Sequence, residues 1–301
     1  MKSEIKKKIE KVYLNLSYRG WFKNVQDEVQ IKRLYKIFFS KELNLNNPKT
    51  FNEKLQWLKL YNRKNEFTKM VDKYEAKKYV ASIIGDEHII STLGIYDKYD
   101  DIDFDELPNQ FVIKCTHDSG GLEIVKNKNN MNNNETKRKI TQKLKKNYYL
   151  YGRERPYKNV KPRIIIEEYK ETGNGELRDY KFFCFDGIVK FFKIDLDRFI
   201  NHRANYYNPS GELLEFGEEI YPPDFNRRIE KPKKLKEMIK LAELLSKGTI
   251  FLRVDFYEVD NKIYFGELTF YPNSGFCKFI PEEWDEKLGE YIKLPINKKG
   301  D

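Results

Sequence analysis

The chain has 301 residues, with 57 lysines and arginines against 47 aspartates and glutamates, which gives a formal net charge of +10 at pH 7. Its content of 40% hydrophobic and 15% aromatic residues excludes a disordered chain and suffices for a sizeable core. The positive charge favours anionic partners such as nucleotides, nucleic acid or acidic sugars without distinguishing among them.

Cys115, Cys184 and Cys277 lie far apart, and none belongs to a Cys-x-x-Cys pair. This spacing argues against a disulfide framework or a zinc site and fits a reducing cytoplasm. No uncharged apolar run approaches the roughly 18 residues of a bilayer span, and no apolar segment follows the lysine-rich N-terminus. We therefore expect a cytoplasmic protein without a transmembrane segment.

The N-terminal part, residues 1–65, has a helical pattern and is predicted to be an accessory region. Within it, Thr50 and Glu53 form a capping box in front of apolar positions. Asp72, with a glutamate three residues later, predicts the start of another helix. Lys73 then lies in a first turn, where its ammonium and free backbone N–H groups are able to face one anion.

Residues 111–125 have the pattern of two short strands joined by a loop that contains Gly120 and Gly121. Such a loop can bring backbone N–H groups close to phosphates, although glycines are also ordinary at a hairpin tip. Lys114 ends the first, apolar strand, and a lysine buried there needs an anionic partner.

Three further strand patterns cover residues 163–168, 180–185 and 189–194, and we expect them to share one antiparallel sheet. Asp186 and Gly187 form the turn between the last two.

A final strand pair, residues 249–257 and 262–269 with a turn at Asp260-Asn261, carries the strongest chemical pattern of the chain. On paired antiparallel strands Asp255 and Glu267 are able to face each other, and Arg253 shares the face of Asp255. Paired carboxylates supply the hard oxygen ligands that Mg²⁺ uses when it bridges nucleotide phosphates, and an arginine beside them neutralises phosphoryl charge. Spacing alone leaves open an ordinary surface cluster of ion pairs.

The motifs of several enzyme classes are absent from this sequence. There is no G-x-x-x-x-G-K-[ST] loop, and Gly173-Asn174-Gly175 lacks the third glycine of a dinucleotide fingerprint. No serine lies in a G-x-S-x-G elbow. P-loop, Rossmann and triad-hydrolase functions are therefore disfavoured.

Taken together, these motifs resemble the ATP-grasp superfamily and, within it, the TupA-like branch named for teichuronopeptide biosynthesis. The most specific part is FLRVDFYEVDNKIYFGELTFYPNSGF, at residues 251–276. The resemblance implies an α+β ATP-grasp fold in which two α+β lobes clasp ATP, with an N-terminal helical extension. The expected domains are residues 1–65, the accessory region; 66–160, the small lobe; and 161–301, the large lobe with the metal site.

The resemblance also implies roles for individual residues. Asp255 and Glu267 match the Mg²⁺ ligands and Arg253 matches the catalytic arginine, with Lys181 near phosphate and Asp179 near ribose. The expected ATP contacts in the preceding part of the chain are Lys73, Lys114, His117, Ser119, Gly120, Gly121, Glu167, Glu168 and Tyr169, of which the last three match the hinge that binds adenine. Many relatives have asparagine two residues after the second carboxylate, whereas this chain has Thr269, with Asn273 farther along. Either residue, or water, is then the third metal ligand.

The implied reaction is ATP- and Mg²⁺-dependent ligation of a carboxylate to an amine through an acyl phosphate. The TupA-like branch points to an amino acid or amine joined to a uronic acid in bacterial surface polysaccharide, such as capsule, with peripheral contact to lipid-linked glycan machinery. For the acceptor we expect the loop at residues 198–207, which carries Arg198, His202 and Arg203.

Three alternatives stay open. A polysaccharide glycosyltransferase would use an acidic pair, either Asp195 with Asp197 or Asp103 with Asp105. A sugar kinase would use the same ATP site to phosphorylate a hydroxyl. Nucleic-acid binding has only the net charge in its favour, because no organised basic and aromatic recognition motif is present, so no nucleic-acid partner is expected.

Overall fold

The protein's structure, a computed structural model, describes residues 2–171, 178–197, 200–227 and 229–295. Its α-helices are α1 (Lys2–Tyr18), α2 (Asp27–Phe39), α3 (Phe51–Tyr61), α4 (Glu66–Val71), α5 (Glu75–Ile84), α6 (Asn133–Leu144), α7 (Tyr149–Gly152), α8 (Leu235–Ser246) and α9 (Trp284–Tyr291). Its strands are β1 (Thr92–Tyr96), β2 (Phe111–Cys115), β3 (Leu122–Val125), β4 (Ile164–Glu168), β5 (Asp179–Phe185), β6 (Ile188–Leu196), β7 (Arg203–Tyr207), β8 (Leu213–Leu214), β9 (Gly217–Glu218), β10 (Phe251–Val259), β11 (Lys262–Thr269) and β12 (Phe279–Ile280).

The chain divides into two compact units. One comprises residues 1–30 and 63–177, and the other comprises residues 31–62 and 178–301. The three functional domains expected from the sequence stay a prediction, because compactness does not assign a role to a segment. The mixture of helices and antiparallel sheets confirms the α+β class.

The first unit contains a four-stranded antiparallel sheet with the strand order β1-β4-β2-β3. The predicted hairpin is present, since β2 pairs with β3 from Phe111 opposite Val125 to Lys114 opposite Leu122. Its core contains Phe111, Ile113 and Ile140, the last contributed by α6. This packing buries the base of the hairpin.

The second unit contains a six-stranded antiparallel sheet with the order β11-β10-β5-β6-β7-β8, and a separate β9–β12 pair. The expectation that residues 163–168 share a sheet with residues 180–185 and 189–194 is wrong, because β4 pairs with β1 and β2 of the first unit. A period of two in the sequence identifies a strand but does not identify its partner.

The two faces of the six-stranded sheet differ. One face packs on α8, where Cys184 Sγ lies 3.7 Å from the carbonyl oxygen of Ala242. The other face is aromatic at one end, where Phe51 from α3 meets Phe251 edge-on at 5.2 Å between ring centroids. Toward the other end of that face the side chains are charged, and these charged residues form part of the candidate active site.

The predicted turns and the predicted capping box before α3 are confirmed. Asp186 and Gly187 have φ of 50° and 75°, and Asp260 and Asn261 have φ of 49° and 59°, as two-residue hairpins with the right twist require. The capping box before α3 is complete, since Thr50 Oγ1 accepts the Glu53 N–H at 3.2 Å and Glu53 Oε2 accepts the Thr50 N–H at 3.2 Å.

The helix predicted to start at Asp72 instead begins at Glu75, because Asp72 Oδ1 accepts the Tyr74 N–H at 2.9 Å in a turn, and Lys73 precedes α5 rather than lying in its first turn.

None of the helices in the described part of the chain combines the length and apolar character that crossing a membrane requires.

Candidate active site

Two carboxylates meet on the charged face of the six-stranded sheet. Asp255 on β10 is the register partner of Glu267 on β11, and Arg253 is the partner of Thr269. Arg253 donates two parallel hydrogen bonds to Asp255, both 2.7 Å long, and a third of 2.5 Å to Glu267 Oε1. Thr269 Oγ1 donates to the same Glu267 oxygen at 2.9 Å. The sequence-predicted Asp255, Glu267, Arg253 and Thr269 are therefore one cluster.

The cluster has the donor chemistry of a site for a hard cation. The side chain of Asp255 is 2% exposed and that of Glu267 is 44% exposed, so the pair extends from the interior to solvent. Burial raises the pKa of Asp255 to about 7, against the opposing charges of Arg253 and Lys181. A divalent cation bound beside it would favour the ionised form of this carboxylate.

Within the described ranges, no group of three or more His, Cys, Asp and Glu side chains is arranged to hold a metal. A third protein ligand would therefore come from another residue type, and Thr269 is the predicted one that contacts the carboxylate pair. Asn273 is exposed, and its side chain interacts with the thiol of Cys277, whose pKa is raised by burial. Thr269 therefore lies in the carboxylate cluster, and the identity of a third ligand stays a prediction.

Lys181 extends the cluster along the same row of the sheet. It lies opposite Asp255 in the register of β5 and β10, and its ammonium bonds to Asp179, to Asp195 at 2.6 Å and approaches Asp255 Oδ2 at 3.9 Å. Burial would lower the pKa of Lys181, but the three carboxylates raise it above its ordinary value. This lysine is held charged in the interior.

Sequence reasoning missed the continuation of this row. Lys193 on β6 lies opposite Lys181, and its ammonium is 3.3 Å from both oxygens of Glu218 and 3.6 Å from Asp195 Oδ1. Tyr206 on β7 lies opposite Lys193 and donates to Glu218. Alternation in the β6 sequence, which places Lys193 and Asp195 two residues apart on one face, could have identified Lys193 as part of this row.

In the first unit the structure joins Lys114 to Glu167. Lys114 Nζ lies 2.5 Å from Glu167 Oε2, and Lys77 on α5 bonds to the other oxygen. Burial works to raise the pKa of Glu167, but the two lysines outweigh it and lower that pKa to about 2. Lys77 was missed from the sequence, although it lies four residues after Lys73.

Lys73 contacts the predicted glycine-containing loop. Its backbone N–H donates to Thr116 O at 3.0 Å, and its ammonium donates to the carbonyl oxygen of Asp118. Within that loop, the Gly121 N–H donates to Asp118 Oδ1 at 2.8 Å, and Ser119 and Gly120 are exposed. Lys73 and the loop, predicted separately, are thus adjacent.

His117 lies on the inner side of this loop. Its side chain is buried, its Nε2 lies 3.0 Å from the carbonyl oxygen of Lys146, and burial lowers its pKa. Contact of His117 with a phosphate stays a prediction.

The two glutamates predicted at the adenine hinge have different surroundings. Glu167 is buried in its pair of lysines, whereas Glu168 has a 41% exposed side chain that bonds to Lys170 at 2.5 Å. The ring of Tyr169 lies beside the ammonium of Lys126 at 5.9 Å. Of the two, Glu168 is the carboxylate that solvent reaches, and a role at the adenine hinge stays a prediction.

The predicted acceptor loop is partly a strand. Residues 203–207 form β7, which begins at Arg203 and pairs with β6 and β8. The His202 ring stacks on Tyr221 at 3.8 Å between centroids, and its Nε2 lies 3.3 Å from Asp195 Oδ1. Arg198 lies outside the described residues.

The two acidic pairs considered for a glycosyltransferase make internal contacts. Asp195 is bonded to Lys181, and Asp197 is bonded to Arg227 at 2.5 Å. Asp103 accepts the backbone N–H of Asp105 at 2.9 Å in a local turn. Each pair thus has a structural explanation that needs no nucleotide sugar.

Several solved structures are similar to this chain. The solved structures that the chain resembles include D-alanine–D-alanine ligase from Bacillus anthracis, at 20% identity over 79% of this chain and 67% of that one, with a TM-score of 0.41. The ligase of the same name from Helicobacter pylori is 14% identical over 83% and 70%, with a TM-score of 0.42. D-cycloserine synthetase DcsG is 14% identical over 75% and 71%, with a TM-score of 0.39. A search of curated proteins found no match.

The family model described as TupA-like ATPgrasp matches residues 53–293, which include the carboxylate pair, Lys181 and Lys193, and the glycine-containing loop. Because this match covers most of the 301 residues, the chain belongs to the TupA-like ATP-grasp family.

Proposed function

We propose that the protein is an ATP- and Mg²⁺-dependent ligase that joins a carboxylate to an amine. The observation that carries this proposal is the cluster of Asp255, Glu267 and Arg253, in which Asp255 and Glu267 lie opposite each other on β10 and β11 and Arg253, two residues along β10, bonds to both carboxylates. Membership of the ATP-grasp family supports the same reaction type.

In the proposed reaction, an oxygen of the substrate carboxylate attacks the γ-phosphorus of ATP, and ADP leaves. The amine nitrogen then attacks the carbonyl carbon of the acyl phosphate, inorganic phosphate leaves, and the nitrogen loses a proton. This reaction requires the protein to position the substrates and to neutralise the charge of the transferring phosphoryl group. It does not require a covalent bond between substrate and protein.

Asp255, Glu267 and Thr269 would hold Mg²⁺, which when bound neutralises phosphate charge. Arg253, which spans both carboxylates, would direct its remaining N–H groups toward the transferring phosphoryl group. Lys181 is fixed one strand away by three carboxylates and would face the phosphates as a charged, immobile group. Asp179 would contact the ribose.

In the first unit, the exposed backbone at Ser119 and Gly120 and the ammonium of Lys73 would bind phosphate oxygens. Lys114 is paired with Glu167, so it would reach a phosphate by exchanging one anion for another. Glu168 and Tyr169 would contact the adenosine.

For the substrates we propose a uronic acid of bacterial surface polysaccharide and an amino acid or other small amine, acting in the cytoplasm. The net charge of +10 supports an acidic sugar. His202 and Arg203, at the start of β7, are the described residues proposed for the acceptor.

The test is incubation of the purified protein with ATP, Mg²⁺, a panel of uronic acids and a panel of amines, with mass analysis of the acceptors. We expect ADP, inorganic phosphate and an amide product. ADP with a phosphorylated acceptor would assign a kinase instead, and sugar transfer from a nucleotide sugar without ATP turnover would assign a glycosyltransferase.

A further inference from the structure

The segment that follows β11 has an unusual backbone. Asn273, Ser274 and Gly275 have consecutive positive φ values of 48°, 53° and 61°. A left-handed conformation costs about 1–2 kcal/mol for each residue other than glycine, so the surrounding structure must hold this turn in place. The turn begins only a few residues after Thr269, the end of the strand that carries Glu267.

Helix α3 supplies that support with three side chains from one helical face. Lys59 Nζ donates to Ser274 O at 2.6 Å, and Gln56 Nε2 donates to Gly275 O at 2.6 Å. Asn52 Nδ2 donates to Cys277 O at 2.7 Å, and its Oδ1 accepts the Cys277 N–H at 3.2 Å. The spacing of four and three residues places these donors on one side of the helix.

The fit between helix and turn is close. A Cβ atom at Gly275 would lie 2.5 Å from Gln56 Nε2 and 3.0 Å from Leu55 Cβ. Because this position also has φ of 61°, glycine is required both for the conformation and for the approach of α3.

These polar side chains are expensive to bury. Asn52 and Gln56 are fully buried and Lys59 is 1% exposed, with its ammonium 4.6 Å from the centroid of the Phe276 ring. An apolar side chain at position 59 would pack at lower cost than a buried ammonium. A fully bonded polar network does, however, select one backbone conformation where an apolar contact tolerates several.

We propose that α3 is a positioning element of the active site, in which Asn52, Gln56 and Lys59 fix residues 273–277 and thereby hold the Thr269 end of β11 in the geometry that binds the cation. This inference rests on the proposed function, because the cation site at Asp255 and Glu267 is part of that proposal. It assigns a role to a helix that sequence analysis placed in an accessory region.

The test compares two lysines of the same helix. Lys59→Met removes the bond to the turn, whereas Lys54→Met removes a lysine whose Nζ donates to Gly289 O at 2.8 Å and Ile292 O at 3.0 Å, at the end of α9. Binding of Mn²⁺ to the ADP-saturated protein is followed by electron paramagnetic resonance of free Mn²⁺. Amide hydrogen exchange is measured in peptides that cover residues 272–277 and 289–292.

We expect Lys59→Met to raise the dissociation constant of Mn²⁺ about tenfold, as loss of outer support does at metal sites, and to speed exchange at residues 272–277. Lys54→Met should speed exchange at residues 289–292 and change Mn²⁺ binding by less than about twofold, as expected of an independent position. Equal effects of the two variants on Mn²⁺ binding would overturn the proposal, because α3 would then act only as part of the core.

If Lys59→Met does not fold, Gln56→Met tests the same point, since it removes the donor to Ser274 O and Gly275 O together with the Oε1 atom that accepts a hydrogen bond from Lys59 Nζ at 2.9 Å. Unchanged Mn²⁺ affinity in a folded Gln56→Met variant would also overturn the role of α3. Absence of Mn²⁺ binding by the wild-type protein would instead refute the cation site and the proposed function with it.

Discussion

Asp255 lies opposite Glu267 because β11 contains a β-bulge at Gly266. Phe256 pairs with Phe265, but the next pair is Asp255 with Glu267, so Gly266 has no partner of its own. In an uninterrupted ladder Glu267 would occupy the opposite face of the sheet. The bulge therefore creates the carboxylate pair.

The carboxylate pair gives the first prediction. Asp255→Asn and Glu267→Gln should each lower ATP turnover by about 100-fold or more, the scale of losing one charged contact to a transferring group. Both changes preserve volume, so the circular dichroism spectrum should stay near wild type, while the urea midpoint of Asp255→Asn should fall because buried Arg253 loses a charged partner. Glu258→Gln, on the same strand and bonded to the backbone N–H of Lys233, is the control and should retain turnover. Full activity in either folded variant would contradict the metal assignment.

The bulge gives the second prediction. A Cβ at Gly266 would lie 3.1 Å from both Asp255 O and Tyr257 Cε2, so Gly266→Val should destabilise the protein by about 1–3 kcal/mol through overpacking. It should lower turnover further than stability explains, because the pair opposite the bulge is displaced. Urea unfolding and ATP turnover are measured beside Lys262→Val, at the exposed start of β11. Wild-type turnover in Gly266→Val would show that the bulge does not set the site.

Irregularities in strand pairing limited how much of the site could be predicted from the sequence. The strands were predicted from their alternating patterns and from the Asp186-Gly187 and Asp260-Asn261 turns. The family was predicted from the resemblance. The register was not predictable, because a second irregularity between Phe183 and Cys184 places Lys193 opposite Lys181, where simple counting from the turn would place Phe192. Gly266 is a glycine inside a strand, which is a bulge signal, but Lys190, the unpaired residue of the second irregularity, has no such signature, so the row of buried charges was only partly recognised.

The buried partners of charged residues were predictable in kind but not in identity. Lys114 was expected to need an anion, and the structure provides Glu167 from β4. That pairing depends on β4 lying beside β2, a contact between segments about fifty residues apart that local patterns do not contain.

The low pKa of Glu167 gives the third prediction. Its value of about 2 in the folded protein lies below the ordinary 4.5, so the lysine pairing stabilises the fold fully above about pH 4.5 and loses this contribution as pH falls toward 2. The contribution is on the order of 3 kcal/mol at neutral pH. Urea unfolding of wild type and Glu167→Gln, at pH 6.5 and pH 3.5, should give a stability difference that shrinks at the lower pH. A difference that stays constant between the two pH values would contradict the pairing.

The charged row on β5 and β6 gives the last prediction. Lys181→Met leaves Asp179, Asp195 and Asp255 without a shared buried cation and should cost on the order of 3–5 kcal/mol at pH 7. Asp195→Asn, which also removes a charge from Lys193, should be costly alone, yet the double variant should cost less than the two single changes together, by about 0.5–3 kcal/mol. Urea unfolding of the four proteins measures this coupling. Lys190→Met, also on β6 but beside the Tyr291 ring, should be additive with Asp195→Asn, because its ammonium belongs to a different environment. Additivity of Lys181→Met with Asp195→Asn would mean that the two groups do not stabilise each other. It would contradict the view that Asp195 holds Lys181 in place.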